Sequence, residues 1–460
     1  MQTGRRTEIM KIVEFESAQK DGVTLLLSPQ EVTAILCKNE FNKEFTSGSV
    51  KSYDSNQLAS NDPIEDTHSE ALCKLTPGFL LGVFDGHGGP ACAQVISKRL
   101  LSYIAAALLP LEPLKKYIKH EAKESLIETF NDKVELIEDL KLTYRNSFKQ
   151  YLVALSNLPR DGSDVRASLE TSIMKLDDDL SNEVVEPFKV TGKVNPKTLS
   201  VALSGAVACI AHINGPDLHI ANVGDCNAVL GTITEDHEWI AKKITKEHNS
   251  ENIDELKRIW KEHPDERKTV IRRDRLLGEL APLRSLGDYR YKWPTATLLD
   301  VAVPLVGQKA IPPNYHTPPY LTARPDIYYH RLTPKDTFLI IASDGLWDMM
   351  TPLQAVKLVG QHMKGKVFFN PLKLPRKNIQ LGDINELLSH RKESLKSKPK
   401  DRNAATHLIR HAIGGTEYGV DHSRLAHLLS LSSDVSRMFR DDITVTVVYF
   451  DSEFLRQCPA

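Results

Sequence analysis

Residues 204–232, SGAVACIAHINGPDLHIANVGDCNAVLGT, contain three apolar runs separated by turn residues. The runs cover residues 204–213, 218–223 and 228–232, and the first two flank the turn sequence NGPD at residues 214–217. Such a short turn cannot hold a crossover helix, so it predicts a hairpin of two antiparallel strands. The third run follows Gly224-Asp225 and predicts another strand.

Similar strand patterns occur elsewhere in the chain. They lie at residues 79–84, 337–342 and 443–450. Apolar residues at helical spacing or helix-start signals predict helices at residues 90–109, 165–184, 251–263, 351–363 and 404–413. Because these helices do not alternate strictly with the strands, the pattern predicts an α+β fold in which helices pack outside antiparallel sheets.

The composition excludes several classes of protein. With 59 basic and 60 acidic residues, the chain has no net charge that would favour nucleic acid or an anionic membrane. Its six cysteines form no C-x-x-C pair, which argues against a thiolate zinc site and fits a reducing compartment. The longest apolar run, near residues 100–109, is too short to span a bilayer. The acidic residues near the N-terminus make a poor import presequence.

Aspartates recur at the ends of the predicted strands. Asp85 lies in VFDGHGG (residues 83–89), Asp225 in NVGD, Asp344 in SDGLWD and Asp441 in RDDIT. Strand ends on a shared sheet edge would bring these carboxylates together, where they would repel one another. A divalent cation removes that repulsion, and oxygen ligands are those that Mg²⁺ and Mn²⁺ prefer.

The glycines beside Asp85 fit the same interpretation. Gly86, Gly88 and Gly89 allow a tight turn, the carbonyl of Gly86 could bind a cation, and His87 could act as an acid. Taken singly, each of these residues is more often a structural turn residue, and no P-loop is present. The joint pattern favours a hydrolase that depends on Mg²⁺ or Mn²⁺.

Five ordered motifs resemble those of the metal-dependent protein phosphatases of type 2C. They are PIED (residues 63–66), VFDGHGG (83–89), LGD (286–288), ASDGLWD (342–348) and RDDIT (440–444). The resemblance implies a four-layer α-β-β-α sandwich, in which two antiparallel sheets are flanked by helices and a metal cleft lies at one edge. It also implies dephosphorylation of serine or threonine by a metal-bound hydroxide.

The same resemblance implies a role for each site residue. Two Mg²⁺ or Mn²⁺ ions would be held by Asp85, the carbonyl of Gly86, Asp344 and Asp441. His87 would protonate the leaving oxygen. The remaining acidic residues would hold metal-bound water or a weaker third ion, namely Glu65, Asp66, Asp225 and Asp348. Asn61 stands near the place where many members have a phosphate-binding arginine, so phosphate binding would depend more on the metal ions.

Three further stretches resemble the pyruvate dehydrogenase phosphatase branch of that family: residues 55–58, 311–320 and 403–411. This likeness implies a mitochondrial matrix enzyme that reactivates the phosphorylated pyruvate dehydrogenase component. It also implies docking on the lipoyl domain of the acetyltransferase core, assisted by Ca²⁺ in some members, and a regulatory subunit in some. The alternatives are the same chemistry on another phosphoprotein and a catalytically silent binding scaffold.

The domain prediction follows from the extent of the motifs. We expect an N-terminal extension at residues 1–50, a catalytic domain at 51–452 and a tail at 453–460. Insertions are expected near residues 111–161, 294–319 and 368–402.

Overall fold

The strands of the protein form two large antiparallel sheets. The computed structural model describes residues 27–459 except 121–123, 159–161, 163, 370–380 and 397. Its strands are β1 (Phe41–Glu44), β2 (Val50–Leu58), β3 (Thr67–Cys73), β4 (Phe79–His87), β5 (Ile127–Phe130), β6 (Gly205–Asn214), β7 (Asp217–Val223), β8 (Asn227–Ile233), β9 (Trp239–Lys243), β10 (Ile271–Arg272), β11 (Arg275–Leu276), β12 (Leu286–Gly287), β13 (Asp326–Arg331), β14 (Asp336–Ala342), β15 (Gly415–Thr416), β16 (Gly419–Val420) and β17 (Ile443–Phe450).

The helices lie outside these sheets. They are α1 (Pro29–Cys37), α2 (Ala91–Ala107), α3 (Leu111–Lys119), α4 (Glu138–Ser156), α5 (Val165–Thr191), α6 (Pro196–Leu203), α7 (Ile253–Glu262), α8 (Thr295–Thr297), α9 (Val303–Val306), α10 (Asp344–Trp347), α11 (Pro352–Met363), α12 (Leu381–Ser394), α13 (Ala404–Gly414), α14 (His422–Ser430), α15 (Ser433–Ser436) and α16 (Ser452–Gln457). A π-helical segment, Leu298–Ala302, joins α8 to α9.

The strand order defines the two central layers. The first sheet has the order β1-β2-β17-β14-β8-β9, and the second has the order β13-β7-β6-β4-β3-β5, with β12 also paired to β6. An apolar core that includes Val83, Leu230 and Ile341 joins the facing sheets. Helices α2 and α5 cover the second sheet, and α11 and α13 cover the first. The four-layer α-β-β-α sandwich predicted from the sequence is therefore confirmed.

Polar contacts join strand β2 to the helices that cover the first sheet. Its Asn56 donates side-chain hydrogen bonds to the Leu36 carbonyl (2.7 Å) and to Thr406 Oγ1 (2.8 Å) on α13. The backbone N–H of Ala404 donates to Asp54 Oδ2 over 2.8 Å. The stretches at residues 55–58 and 403–411, which are far apart in the sequence, therefore pack against each other.

A buried ionic network joins α2, α4 and α5. Arg99 donates two hydrogen bonds to Glu183, at 3.0 and 2.6 Å, and the two side chains are only 5% and 4% exposed. Ser147 on α4 donates to the same carboxylate over 2.6 Å, and Tyr103 donates to Asp179 over 2.8 Å. Burial alone would lower the pKa of Arg99, but the charge of Glu183 raises it. The network thus stabilises both charges in an otherwise apolar region.

The predicted extension and insertions contain ordered elements. Within residues 27–50, α1 and β1 pack into the same layers as the rest of the chain. The stretch at 111–161 carries α3, β5 and α4, and that at 294–319 carries α8 and α9. Parts of the predicted segments fall outside the described residues, namely 1–26, 121–123, 159–161, 370–380, 397 and 460. The domain boundaries themselves stay a prediction. No helix in the described part is both long and apolar enough to cross a membrane.

Candidate active site

Three of the predicted aspartates meet at one edge of the first sheet. Ala342, the last residue of β14, pairs with Asn227 at the start of β8 and with Val445 near the start of β17. Because both neighbours run antiparallel to β14, their starting ends lie beside its final end. Asp344, Asp225 and Asp441 therefore come from adjacent chain ends, although up to 216 residues separate them in the sequence.

Asp85 joins this group from the second sheet. It lies near the end of β4, opposite Val207 of β6. Loss of surrounding water raises the pKa of Asp85 well above its usual range, and the negative charges of Asp66, Asp344, Asp225 and Asp441 raise it further. The structure thus brings these five carboxylates together in the cleft between the sheet edges, and we call them the acidic cluster.

The predicted motif PIED supplies the wall of the cleft. Glu65 Oε1 accepts a hydrogen bond of 2.6 Å from the backbone N–H of Gly89, and Asp66 Oδ2 accepts one of 2.7 Å from Ser343 Oγ. Burial and the neighbouring charge of Asp442 raise the pKa of Asp66 to about 8. Both side chains are consequently fixed against the loops that carry Asp85 and Asp344.

Asp442 organises the same wall, although the sequence indicated no role for it. Its carboxylate accepts backbone hydrogen bonds from Ser60 (2.5 Å), Asn61 (2.8 Å) and Glu65 (2.8 Å). Its other contact is the Asn61 side-chain amide, which donates over 3.1 Å. Asp442 therefore holds the segment before PIED, while its neighbour Asp441 belongs to the cluster.

Two glycines are required by close packing at the site. A Cβ atom added to Gly86 would overlap the carbonyl oxygen of Glu65, and one added to Gly345 would overlap the carbonyl oxygen of Asp442. The site loops thus approach each other backbone to backbone, which only glycine permits here.

His87 forms a hydrogen-bonded pair that the sequence did not reveal. Its Nε2 lies 2.6 Å from Asp288 Oδ2, and Ser285 Oγ donates to the same oxygen over 2.6 Å. Burial would lower the pKa of His87, but Asp288 outweighs it and raises that pKa. A Cβ on Gly205 would overlap both side chains. The motif LGD at residues 286–288 was noted, but nothing in it pointed to the histidine.

The two candidates for a third ion, Asp225 and Asp348, are close enough for their charges to interact. Burial raises the pKa of Asp225 to about 6, His87 opposes the rise, and Glu247 and Asp348 add to it. The N–H of Asp348 donates to the Asp344 carbonyl over 2.8 Å. Glu247, for which the sequence predicts no role, therefore lies near Asp225, and it accepts a hydrogen bond of 2.7 Å from the Asn227 side chain.

The chemistry of the acidic cluster fits a hard cation. Its donors are carboxylate oxygens, and no lysine or arginine in the described chain forms an ion pair with Asp66, Asp85, Asp225, Asp344 or Asp441. Across the described ranges, however, no group of three or more His, Cys, Asp or Glu side chains is placed to hold a metal by itself. Water and the Gly86 carbonyl would have to complete the coordination, as is usual for Mg²⁺.

Two of the cavities on the described part of the protein differ in their relation to the acidic cluster. One of about 550 Å³ borders the acidic cluster and is lined by residues that include Glu65, Gly89 and Asp441. The larger, of about 900 Å³, lies among α2, α3 and α4 and is lined by residues that include Tyr103, Tyr117 and Phe148. The larger cavity includes none of the proposed site residues, so size alone would have indicated the wrong place for the chemistry.

Fold and cleft together describe a metal-dependent hydrolase of the two-sheet sandwich type, and comparison with known proteins identifies its class. Residues 146–382 match the family described as protein phosphatase 2C. The chain belongs to this family and is a phosphoprotein phosphatase of a metal-dependent class. Asp85 and Asp441 lie outside the matched segment. For those parts of the chain, the family assignment rests on the individual relatives, whose similarity covers 93% of the chain or more.

Individual relatives place the chain within the family. Pyruvate dehydrogenase [acetyl-transferring]-phosphatase 1, mitochondrial, from Homo sapiens is 42% identical over 93% of this chain and 83% of its own. Phosphatase 2 of the same description from Homo sapiens is 38% identical over 97% and 87%. A serine-threonine phosphatase 2C structure from Toxoplasma gondii is 16% identical, covers 90% of this chain and 98% of its own, and has a TM-score of 0.44. The relatives confirm the mitochondrial location expected from the sequence.

Proposed function

We propose that the protein hydrolyses phosphoserine or phosphothreonine with two Mg²⁺ or Mn²⁺ ions held by Asp85, the carbonyl of Gly86, Asp344 and Asp441. The observation that supports this most strongly is the convergence of mutually repelling carboxylates beside the His87–Asp288 pair. In the part of the chain that the structure describes, these carboxylates form no ion pair with lysine or arginine. Glu65 and Asp66 orient water in the cleft, and Asp225 and Asp348 offer a further ion site.

The chain's own residues have distinct parts in the proposed reaction. Bound divalent cations would supply an activated water nucleophile and polarise the phosphoryl oxygens. His87 delivers a proton to the leaving serine or threonine oxygen. Since Nε2 of His87 is bonded to Asp288, Nδ1 is the ring nitrogen available to the substrate. Asp288 keeps the ring protonated and oriented, and Ser285 holds Asp288 in turn.

The proposed substrate is the phosphorylated pyruvate dehydrogenase component, and dephosphorylation would reactivate it in the mitochondrial matrix. The names of the 42% and 38% identical relatives support this choice.

We further propose docking on the lipoyl domain of the acetyltransferase core, assisted by Ca²⁺, and association with a regulatory subunit. A pull-down with isolated lipoyl domain, in Ca²⁺ or in chelator, tests the docking. Equal recovery of the protein in both would show that docking does not require Ca²⁺.

The direct test is release of phosphate from phosphorylated pyruvate dehydrogenase and from a generic phosphoserine peptide, each with Mg²⁺ and with excess chelator. We expect release that requires Mg²⁺ and is faster from the dehydrogenase. Release from the peptide alone would support the proposed phosphatase chemistry and contradict the proposed substrate. No release from either by folded protein would favour a binding scaffold.

His87→Gln is expected to lower turnover of the phosphoserine peptide by on the order of a hundredfold, because the leaving alkoxide loses its proton donor. An aryl phosphate should be affected little, since its leaving group needs no proton. The control is His120→Gln, which alters an exposed histidine at the end of α3. Equal losses on both substrates would contradict the assignment of His87 as the acid.

A further inference from the structure

Arg437 brings a positive charge to the cavity beside the acidic cluster. Its side chain lines the 550 Å³ cavity together with Asn61, Glu65, Gly89 and Asp441. Among all the residues that line this cavity, Arg437 is the only cation. A phosphoryl group approaching the cluster through the cavity would therefore meet one guanidinium on its way.

The guanidinium of Arg437 is free to bind a ligand. Within the described part of the chain it forms no hydrogen bond and no ion pair through its side chain, and the residue is exposed. Asp434, three residues earlier, also lines the cavity but does not pair with it.

The position of Arg437 is fixed although its side chain is free. On the adjoining α15, Ser436 Oγ donates to the Ser60 carbonyl over 2.9 Å. Just beyond, Arg440 donates to the Ala59 carbonyl over 2.6 Å, and Ser60 Oγ donates to the Arg440 carbonyl over 2.8 Å. The turn that carries Arg437 is thus bound to the loop that leads into Glu65.

Asn61 cannot supply the missing charge. It is uncharged, and its side-chain amide already donates to Asp442 over 3.1 Å. A phosphate monoester carries close to two negative charges at neutral pH. The cluster that it approaches is itself acidic, so a cation at the entrance offsets repulsion that an asparagine would leave in place.

We propose that Arg437 binds the non-bridging oxygens of the substrate phosphoryl group and of the phosphate product, in place of a cation at position 61. This inference rests on the proposed phosphatase function and adds a phosphate-binding residue to it. The planar guanidinium can donate two parallel hydrogen bonds to phosphate, which a lysine cannot reproduce.

Arg437→Ala is expected to raise KM for both a phosphoserine peptide and an aryl phosphate by about tenfold or more, because a charge-assisted contact is lost. The inhibition constant of inorganic phosphate should rise by a similar factor, and Arg437→Lys should recover only part of the loss. Arg456→Ala is the control. This arginine lies on α16, beyond the end of β17 that is opposite to Asp441, and pairs with exposed Glu453. The strand between them is about 27 Å long, from its eight residues.

Three results would overturn the inference. Unchanged KM for the aryl phosphate with a raised KM for the peptide would show that Arg437 contacts the peptide rather than the phosphoryl group. An unchanged inhibition constant for inorganic phosphate would exclude phosphate binding. Equal effects of Arg437→Ala and Arg456→Ala would indicate that the loss of one positive charge anywhere on the protein is sufficient, and that Arg437 has no specific contact with phosphate.

The inference and the proposed function fail in different ways. If the unaltered protein hydrolyses neither ester, the phosphatase function is overturned, and calorimetric titration with inorganic phosphate and Mg²⁺ still tests Arg437. Weaker binding of phosphate to Arg437→Ala than to the unaltered protein would support the site. Equal binding would overturn it. Since the side chain is exposed and forms no hydrogen bond or ion pair with the described residues, the variant is expected to fold normally.

Discussion

Asp85→Asn is expected to lower phosphatase activity by on the order of a thousandfold while the protein stays folded. Asp85 lies at the centre of the acidic cluster, where four other carboxylates raise its pKa. Asparagine keeps the shape of the side chain but removes the negative charge that would draw cations into the cleft. The loss should therefore appear in cation affinity as well as in turnover.

Thermal unfolding provides a readout that does not depend on activity. In chelator, Asp85→Asn should melt no lower than the unaltered protein, because the pKa of Asp85 is raised on folding and its ionised form destabilises the folded state at neutral pH. Added Mg²⁺ or Mn²⁺ should stabilise the unaltered protein and have much less effect on the variant. The control is Asp236→Asn at an exposed turn. Near-normal turnover and an unchanged response to Mg²⁺ would contradict the assignment of Asp85 as a metal ligand.

Glu183→Gln is expected to lower the free energy of unfolding by about 3–5 kcal/mol. The change leaves the guanidinium of Arg99 buried without its counter-ion, and it weakens the contact from Ser147. Glutamine has nearly the same volume as glutamate, so loss of packing contributes little. The effect should come from the uncompensated charge.

Urea denaturation measures this change as a shift of the midpoint at constant slope. Glu186→Gln is a matched control on the same helix, because its exposed pair with Lys189 contributes about 0–1 kcal/mol. If both variants shifted the midpoint equally, the Arg99–Glu183 pair would not be the buried anchor that the geometry indicates.

Several strands that flank the active site could be predicted because their sequences are mostly apolar. The strand predicted at residues 443–450 coincides with β17, and the hairpin at 204–223 coincides with β6 and β7. Strand β2 was not predicted, since its VKSYDSNQL sequence is polar. Its Asn56 becomes buried only because Thr406 and the Leu36 carbonyl, distant in the chain, accept its hydrogen bonds.

In the candidate site, too, some residues could be predicted from the sequence and others could not. Asp85, Asp344 and Asp441 could be proposed from their place at strand ends, and the structure brings them together. The hydrogen-bond partners of His87 and Asp442 could not be predicted, because each contact depends on packing between distant segments. Asp288 meets His87 across 201 residues, and Asp442 meets Ser60 across 382. A lone aspartate or arginine has no local pattern that reveals such a contact.

The position of β17 has a consequence for how the chain can be assembled. This strand comes after all the others in the described chain, yet it lies between β2 and β14 in the middle of the first sheet. Until it is synthesised, β2 and β14 lack the strand that lies between them, and exposed strand edges are prone to wrong pairing. Vectorial folding therefore cannot complete this sheet, and the last strand to emerge both closes it and delivers Asp441. A chain cut short before β17 would lack the centre of its first sheet as well as part of its active site.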